Sequence, residues 1–125
     1  MILNFTKRNL QPGVIALTIQ GSMHTGPDCM RLMKEVDALI AGKDTRVIFD
    51  LGSLTHADSA AIGAIVRCLT NLKKAGGVLR IAAAHPMIVH SLKLTKVDKL
   101  IEMFPTVELA AAEFPLPGAG SSKPA

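Results

Sequence analysis

Apolar residues recur along this chain with two periods, near two and near 3.6, and the switches between them mark its elements. Val47, Ile48 and Phe49 form an unbroken β-branched and aromatic run ending at Asp50-Leu51-Gly52, the pattern of a strand covered on both faces. Gly52 and Ser53 supply turn chemistry, and a short polar connection leads to Asp58. Beyond it Ile62, Ile65, Val66, Leu69 and Leu72 repeat as one face of a long amphipathic helix. Asp58 stands where an N-cap belongs, because a carboxylate there accepts orphan amide protons and suits the positive end of the helix dipole. Ser59 follows, held at the mouth of the strand-to-helix turn.

The same reading extends to both sides. Ile2 to Thr6 alternates weakly as an edge strand, and Gln11-Pro12-Gly13 is a turn. Val14, Ile15, Leu17 and Ile19 predict a strand that stops at Gly21-Ser22. Thr25-Gly26-Pro27-Asp28 opens a helix with Cys29, Met30, Met33, Val36, Leu39 and Ile40 on its apolar face, ended by Gly42. After Gly76-Gly77, Val78 to Ala84 is another apolar strand, and His85-Pro86 starts a helix through Leu92. Leu100 to Phe104 predicts a last short strand, and Thr106 caps a final turn offering Val107, Leu109, Ala110 and Phe114 for packing.

The order β-β-α-β-α-β-α-β-α predicts one α/β domain over residues 1–114, with a mainly parallel sheet of four to five strands and about four helices. Pro115 to Ala125 is rich in Pro, Gly and Ser and reads as a flexible C-terminal tail. The 125 residues suffice for one core without disulfides or metal. No apolar run reaches the roughly 18–20 residues that span a bilayer, and the N-terminus lacks the pattern of a signal peptide. A soluble cytoplasmic protein is expected.

Charge and side-chain chemistry narrow the function classes. The net charge of +4 is modest and spread along the chain; it suits a soluble surface, with acidic partners or membranes as the other reading. With no Trp or Tyr, and four Phe residues not interleaved with basic clusters, a nucleic-acid stacking platform is not expected. Cys29 and Cys68 lie inside predicted helices without metal-spaced partners, so reduced thiols are expected. No two of His24, His56, His85 and His90 fall four apart, and no metal site or cofactor is predicted. Glycine-rich phosphate loops are absent.

Ser59 itself admits three roles: a modified hydroxyl, a nucleophile, or a second capping group. A nucleophile would recruit one of the four histidines as base, but Ala57-Asp58-Ser59-Ala60-Ala61 lacks both glycines of the nucleophile elbow. A phosphate adds roughly −1.5 to −2 charge and sits favourably at a helix N-terminus, so the domain itself tolerates one while a partner docked over the turn does not.

From Gly21 through the strand ending Asp50-Leu51, the loop carrying Asp58-Ser59-Ala60 with Ile62 and Gly63, and the segment from Ser91 to Phe104, the chain resembles the STAS domain family, typified by bacterial anti-sigma factor antagonists. The resemblance covers residues 13–114. It departs from the family pattern at Ala61, where glycine is usual, and at His56-Ala57, where bulkier apolar residues are usual. The resemblance implies that Ser59 is the serine phosphorylated by a partner kinase that doubles as an anti-sigma factor. The unphosphorylated domain would bind that kinase, and a serine phosphatase would restore it. Thr55, His56, Asp58, Ser59, Ile62 and Gly63 are then the expected partner-binding residues, and the chain is not an enzyme. The alternative is a constitutive scaffold of a signalling assembly or an accessory subunit of a lipid or anion transporter. The two differ in whether binding depends on the state of Ser59.

Overall fold

Alternate residues of the central strands enter two separate apolar layers, and this division sets the architecture. The computed structural model describes residues 3–24 and 26–112. In chain order its elements are β1 (Asn4–Gln11), β2 (Val14–Met23), α1 (Pro27–Ala41), β3 (Arg46–Asp50), β4 (Leu54–Ala57), α2 (Ser59–Lys74), β5 (Val78–Ala82), α3 (Pro86–Leu94), a 3₁₀ turn (Val97–Lys99), β6 (Glu102–Phe104) and α4 (Val107–Ala112). The sheet runs β1-β2-β3-β5-β6, with β4 joined to β2. Only the β1–β2 pair is antiparallel among these pairings. The domain is therefore mixed α/β with a mostly parallel sheet, as the sequence predicts.

Ile15, Leu17 and Ile19 of β2, Val47 and Phe49 of β3, and Leu79 and Ile81 of β5 share one core with α1, α2 and α3. The intervening Val14, Ala16, Ile48 and Ala82 form a smaller layer with Val107 and Ala110 of α4. Val47, Ile48 and Phe49 are all fully buried, which is why that run carries no polar alternation. Arg80 lies on the smaller layer, where its Nη1 donates to the Ala110 carbonyl at 2.8 Å and its Nε lies 3.3 Å from Glu102 Oε1. The guanidinium also stands over the Phe104 ring, so one cation ties β5, β6 and α4 together.

Three expectations need correction. The strand predicted to stop at Gly21-Ser22 runs on to Met23. Gly21 takes φ 105, and the register shifts between Gly21 and Ser22 as β2 exchanges β3 for β4 as its neighbour. The supposed polar connection after Gly52 is itself the strand β4, the sheet's sixth; only Leu54 is buried, so four residues carry too little alternation to announce it. On α1, Val36 and Leu39 are buried and Cys29, Met33 and Ile40 pack against the core as predicted, but Met30 is 63% exposed and Leu32 is buried in its stead. Phe114 and the stretch 115–125 lie outside the described residues.

Gly77 marks a close approach. A Cβ there would overlap the Thr45 carbonyl oxygen, which accepts from the Val78 amide where β5 begins beside β3. Gly77→Ala is expected to destabilise the domain by about 1–3 kcal/mol, the usual cost of overpacking, as read from the midpoint of urea unfolding. An unchanged midpoint would contradict this packing.

Candidate functional site

The exchange of neighbours at Gly21 brings the end of β2 beside β4 and delivers the chain to the start of α2. Gly21 pairs with Leu54, Ser22 with His56 and Met23 with Ala57. The Thr55 hydroxyl fastens this corner by donating to the Gly21 carbonyl at 2.9 Å, and lies 3.2 Å from Ser22 Oγ. His56 Nδ1 is 3.2 Å from the same Thr55 oxygen. The Asp58 amide then donates to the Met23 carbonyl at 3.4 Å, which ends the pairing and turns the backbone into the helix.

Asp58 has the extended backbone of an N-cap, φ −81 and ψ −178. Its Oδ1 accepts from the Ala61 amide at 2.9 Å, and its carbonyl accepts from the Ile62 amide at 3.0 Å. The cap expected from the sequence is therefore formed by Asp58, and Ser59 occupies the first helical position, exposed to solvent. Asp58 Oδ2 lies 3.9 Å from His24 Nδ1, with both side chains largely open to water. That approach joins residues far apart in the chain through the β2–β4 register, which the missed strand hid from sequence reasoning.

A cleft of about 330 Å³ adjoins this turn between α1 and α2. Ala60, Gly63, Ala64 and Arg67 line it from α2, and Gly26, Cys29, Met30 and Met33 from the other side. Gly63 is exposed, and a Cβ built there meets nothing within 4 Å, so packing inside the domain does not require glycine at this position. Of the expected partner-binding residues, Thr55, His56, Asp58, Ser59 and Gly63 are exposed together, whereas Ile62 is 4% exposed and supports the turn from the core.

The other candidate groups are deployed differently. Asp50 accepts from Thr18 Oγ1 at 3.4 Å and from the Gly52 amide at 3.1 Å, which shapes the turn after β3. His85 stands at the N-cap position of α3 without a side-chain capping bond, and His90 is exposed on that helix. Cys29 donates to the His24 carbonyl; its pKa is raised by burial first, then by the negative charges of Asp58 and Asp28. Burial, with smaller contributions from Asp37 and Cys29, pushes the Cys68 thiol up to about 12. Both thiols are thereby held protonated near neutral pH and are poor nucleophiles. Among the described residues no cluster of His, Cys, Asp and Glu is arranged to hold a metal, and no helix is long and apolar enough to cross a membrane.

A family model for the STAS domain matches residues 7–110. Among solved structures, the chain is similar to an anti-sigma factor antagonist from Mycobacterium paratuberculosis, at 18% identity and a TM-score of 0.79, over 90% of this chain and 94% of that one. It is similar to the Bacillus cell fate determinant SpoIIAA in its phosphorylated form, at 15% identity and a TM-score of 0.69, over 87% of this chain and 97% of that one. A sulfate transporter family protein from Wolinella succinogenes matches at 13% identity and a TM-score of 0.69, over 84% and 87% of the two chains. At these identities the likeness is one of fold.

Removing the cap isolates its contribution. Asp58→Ala is expected to lower the unfolding free energy by about 1 kcal/mol, and Asp58→Asn by less, because asparagine caps nearly as well. Equal losses in the two variants, measured by urea unfolding, would mean that charge rather than the cap hydrogen bond dominates.

Proposed function

The chain belongs to the STAS domain family, and from that premise we propose that it is a regulatory binding protein of the anti-sigma factor antagonist kind, switched by phosphorylation of Ser59. In this reading the unmodified domain binds an anti-sigma serine kinase and so frees a sigma factor for transcription. Phosphate transfer to Ser59 ends the complex, and a serine phosphatase resets it. The chemistry is performed by the partners, and this chain is substrate and ligand rather than enzyme, acting in the cytoplasm of a bacterium.

The observation that carries the reading is the division of labour between two adjacent residues. Asp58 caps α2 through the Ala61 amide, while Ser59 stands exposed at the first helical position. A phosphate on Ser59 is accommodated by the positive end of the helix, so it need not disturb the fold. It nevertheless adds roughly −1.5 to −2 charge beside the Asp58 carboxylate. A partner presenting carboxylates or apolar groups over Thr55, His56 and Asp58 is then repelled, at a cost of several kcal/mol for a like-charge contact. Gly63 extends the surface into the cleft, where the missing side chain admits close approach of a partner backbone.

The alternative, a constitutive scaffold or transporter accessory, draws on the altered residues Ala61 and His56-Ala57 and on the fold shared with the sulfate transporter family protein. The two readings part on Ser59. In co-purification from the native cells, wild type and Ser59→Ala are expected to retain the same kinase partner, and Ser59→Asp to lose at least roughly tenfold in affinity for it. Gly63→Leu is expected to lose that partner while folding normally. Equal recovery of one partner by wild type, Ser59→Ala and Ser59→Asp would contradict the switch and favour the scaffold.

A further inference from the structure

The outer side of α3 and of the 3₁₀ turn that follows carries a surface unconnected with the reading of Ser59. This segment is held down from within: Ile88, Leu92, Val97 and Ile101 are all buried. Met87, Leu94 and Leu100 instead face solvent, 77%, 70% and 53% exposed, with Val89 half-buried between the two sets. On α3, Met87, His90 and Leu94 follow helical spacing and form one stripe. Interspersed with these tips are Lys93, Lys96 and Lys99, all exposed.

Little opposes that positive charge. Within residues 85–100 the one acidic side chain is Asp98, which is half-buried. Glu102, just beyond, lies 3.3 Å from Arg80 Nε. His85 and His90 are the remaining titratable groups of the segment, and both are exposed. Lys96 also holds a left-handed backbone, φ 62, where glycine or asparagine would be less strained.

We propose that this face is a peripheral docking surface for an anionic lipid bilayer. Protein interfaces concentrate aromatic residues, methionine and arginine in packed pockets and are depleted of lysine. Here the exposed cations are all lysines, Lys93, Lys96 and Lys99, and the exposed apolar groups beside them in the chain are single Met and Leu side chains. A bilayer imposes no complementary shape: it accepts separate apolar tips at the headgroup boundary, while its diffuse negative potential attracts lysines. At nine residues α3 is far too short to span a membrane, so the domain rests on the surface.

The test is flotation of the full chain with phosphatidylserine-containing vesicles and with phosphatidylcholine vesicles alone. Binding is expected only to the anionic vesicles, released by added salt, and weakened about fivefold for each lysine neutralised by Lys93→Gln, Lys96→Gln or Lys99→Gln. Lys96→Gly relieves the strained backbone and is expected to lose the same fivefold, so a loss there is not a folding defect. Leu94→Ser with Leu100→Ser weakens binding while the salt dependence persists. Lys7→Gln with Arg8→Gln, on β1 at the opposite edge of the sheet, leaves it unchanged. Failure of the wild-type chain to float with anionic vesicles at low salt would overturn the proposal. So would equal losses in the β1 control, or capture of an acidic amphipathic peptide by this face without vesicle binding.

Discussion

The position of the candidate site depends on one hydrogen bond, from the Ala61 amide to the Asp58 carboxylate. It satisfies an amide that the first helical turn leaves without an intrahelical partner and fixes where α2 begins. Because the cap is Asp58, the next residue must enter the helix with its side chain outward, and that residue is Ser59. Moving the cap by one position would rotate the hydroxyl about 100° around the helix, away from the exposed rim. The same carboxylate lies 3.9 Å from His24 Nδ1, so the cap also gathers the end of β2.

That hydrogen bond works because the surrounding structure holds the turn in place. Ile62 and Ile65 anchor the first turns of α2 in the main core, and Leu54 anchors β4 beneath Thr55 and His56. Burying each such side chain contributes about 1.5–3 kcal/mol, so the turn rests on more stabilisation than the cap alone supplies. An exposed group on a rigid corner can therefore change charge without unfolding the domain, which is the property a phosphorylation switch requires.

Much of this was legible in the sequence. The unbroken Val47-Ile48-Phe49 run announced a strand buried on both faces, and Asp58 ahead of the Ile62–Leu72 spacing announced the cap and its helix. β4 was not legible: Leu-Thr-His-Ala exposes two polar residues and buries only Leu54, so it resembles a loop until the register with β2 is known. Missing β4 also hid the continuation of β2 past Gly21 and the approach of His24 to Asp58. On α1, side-chain type alone does not separate Met30 from the core face; the structure turns Met30 to the cleft, while Cys29, Met33 and Ile40 pack against the core.

The central claim is that Ser59 is the group whose state changes. Intact-mass analysis and site mapping of the chain from its native cells, with and without phosphatase treatment, tests it most directly. The account predicts one phosphatase-sensitive phosphate, carried on Ser59. A chain without phosphate under every growth condition tested, or with its phosphate on another residue, would contradict it.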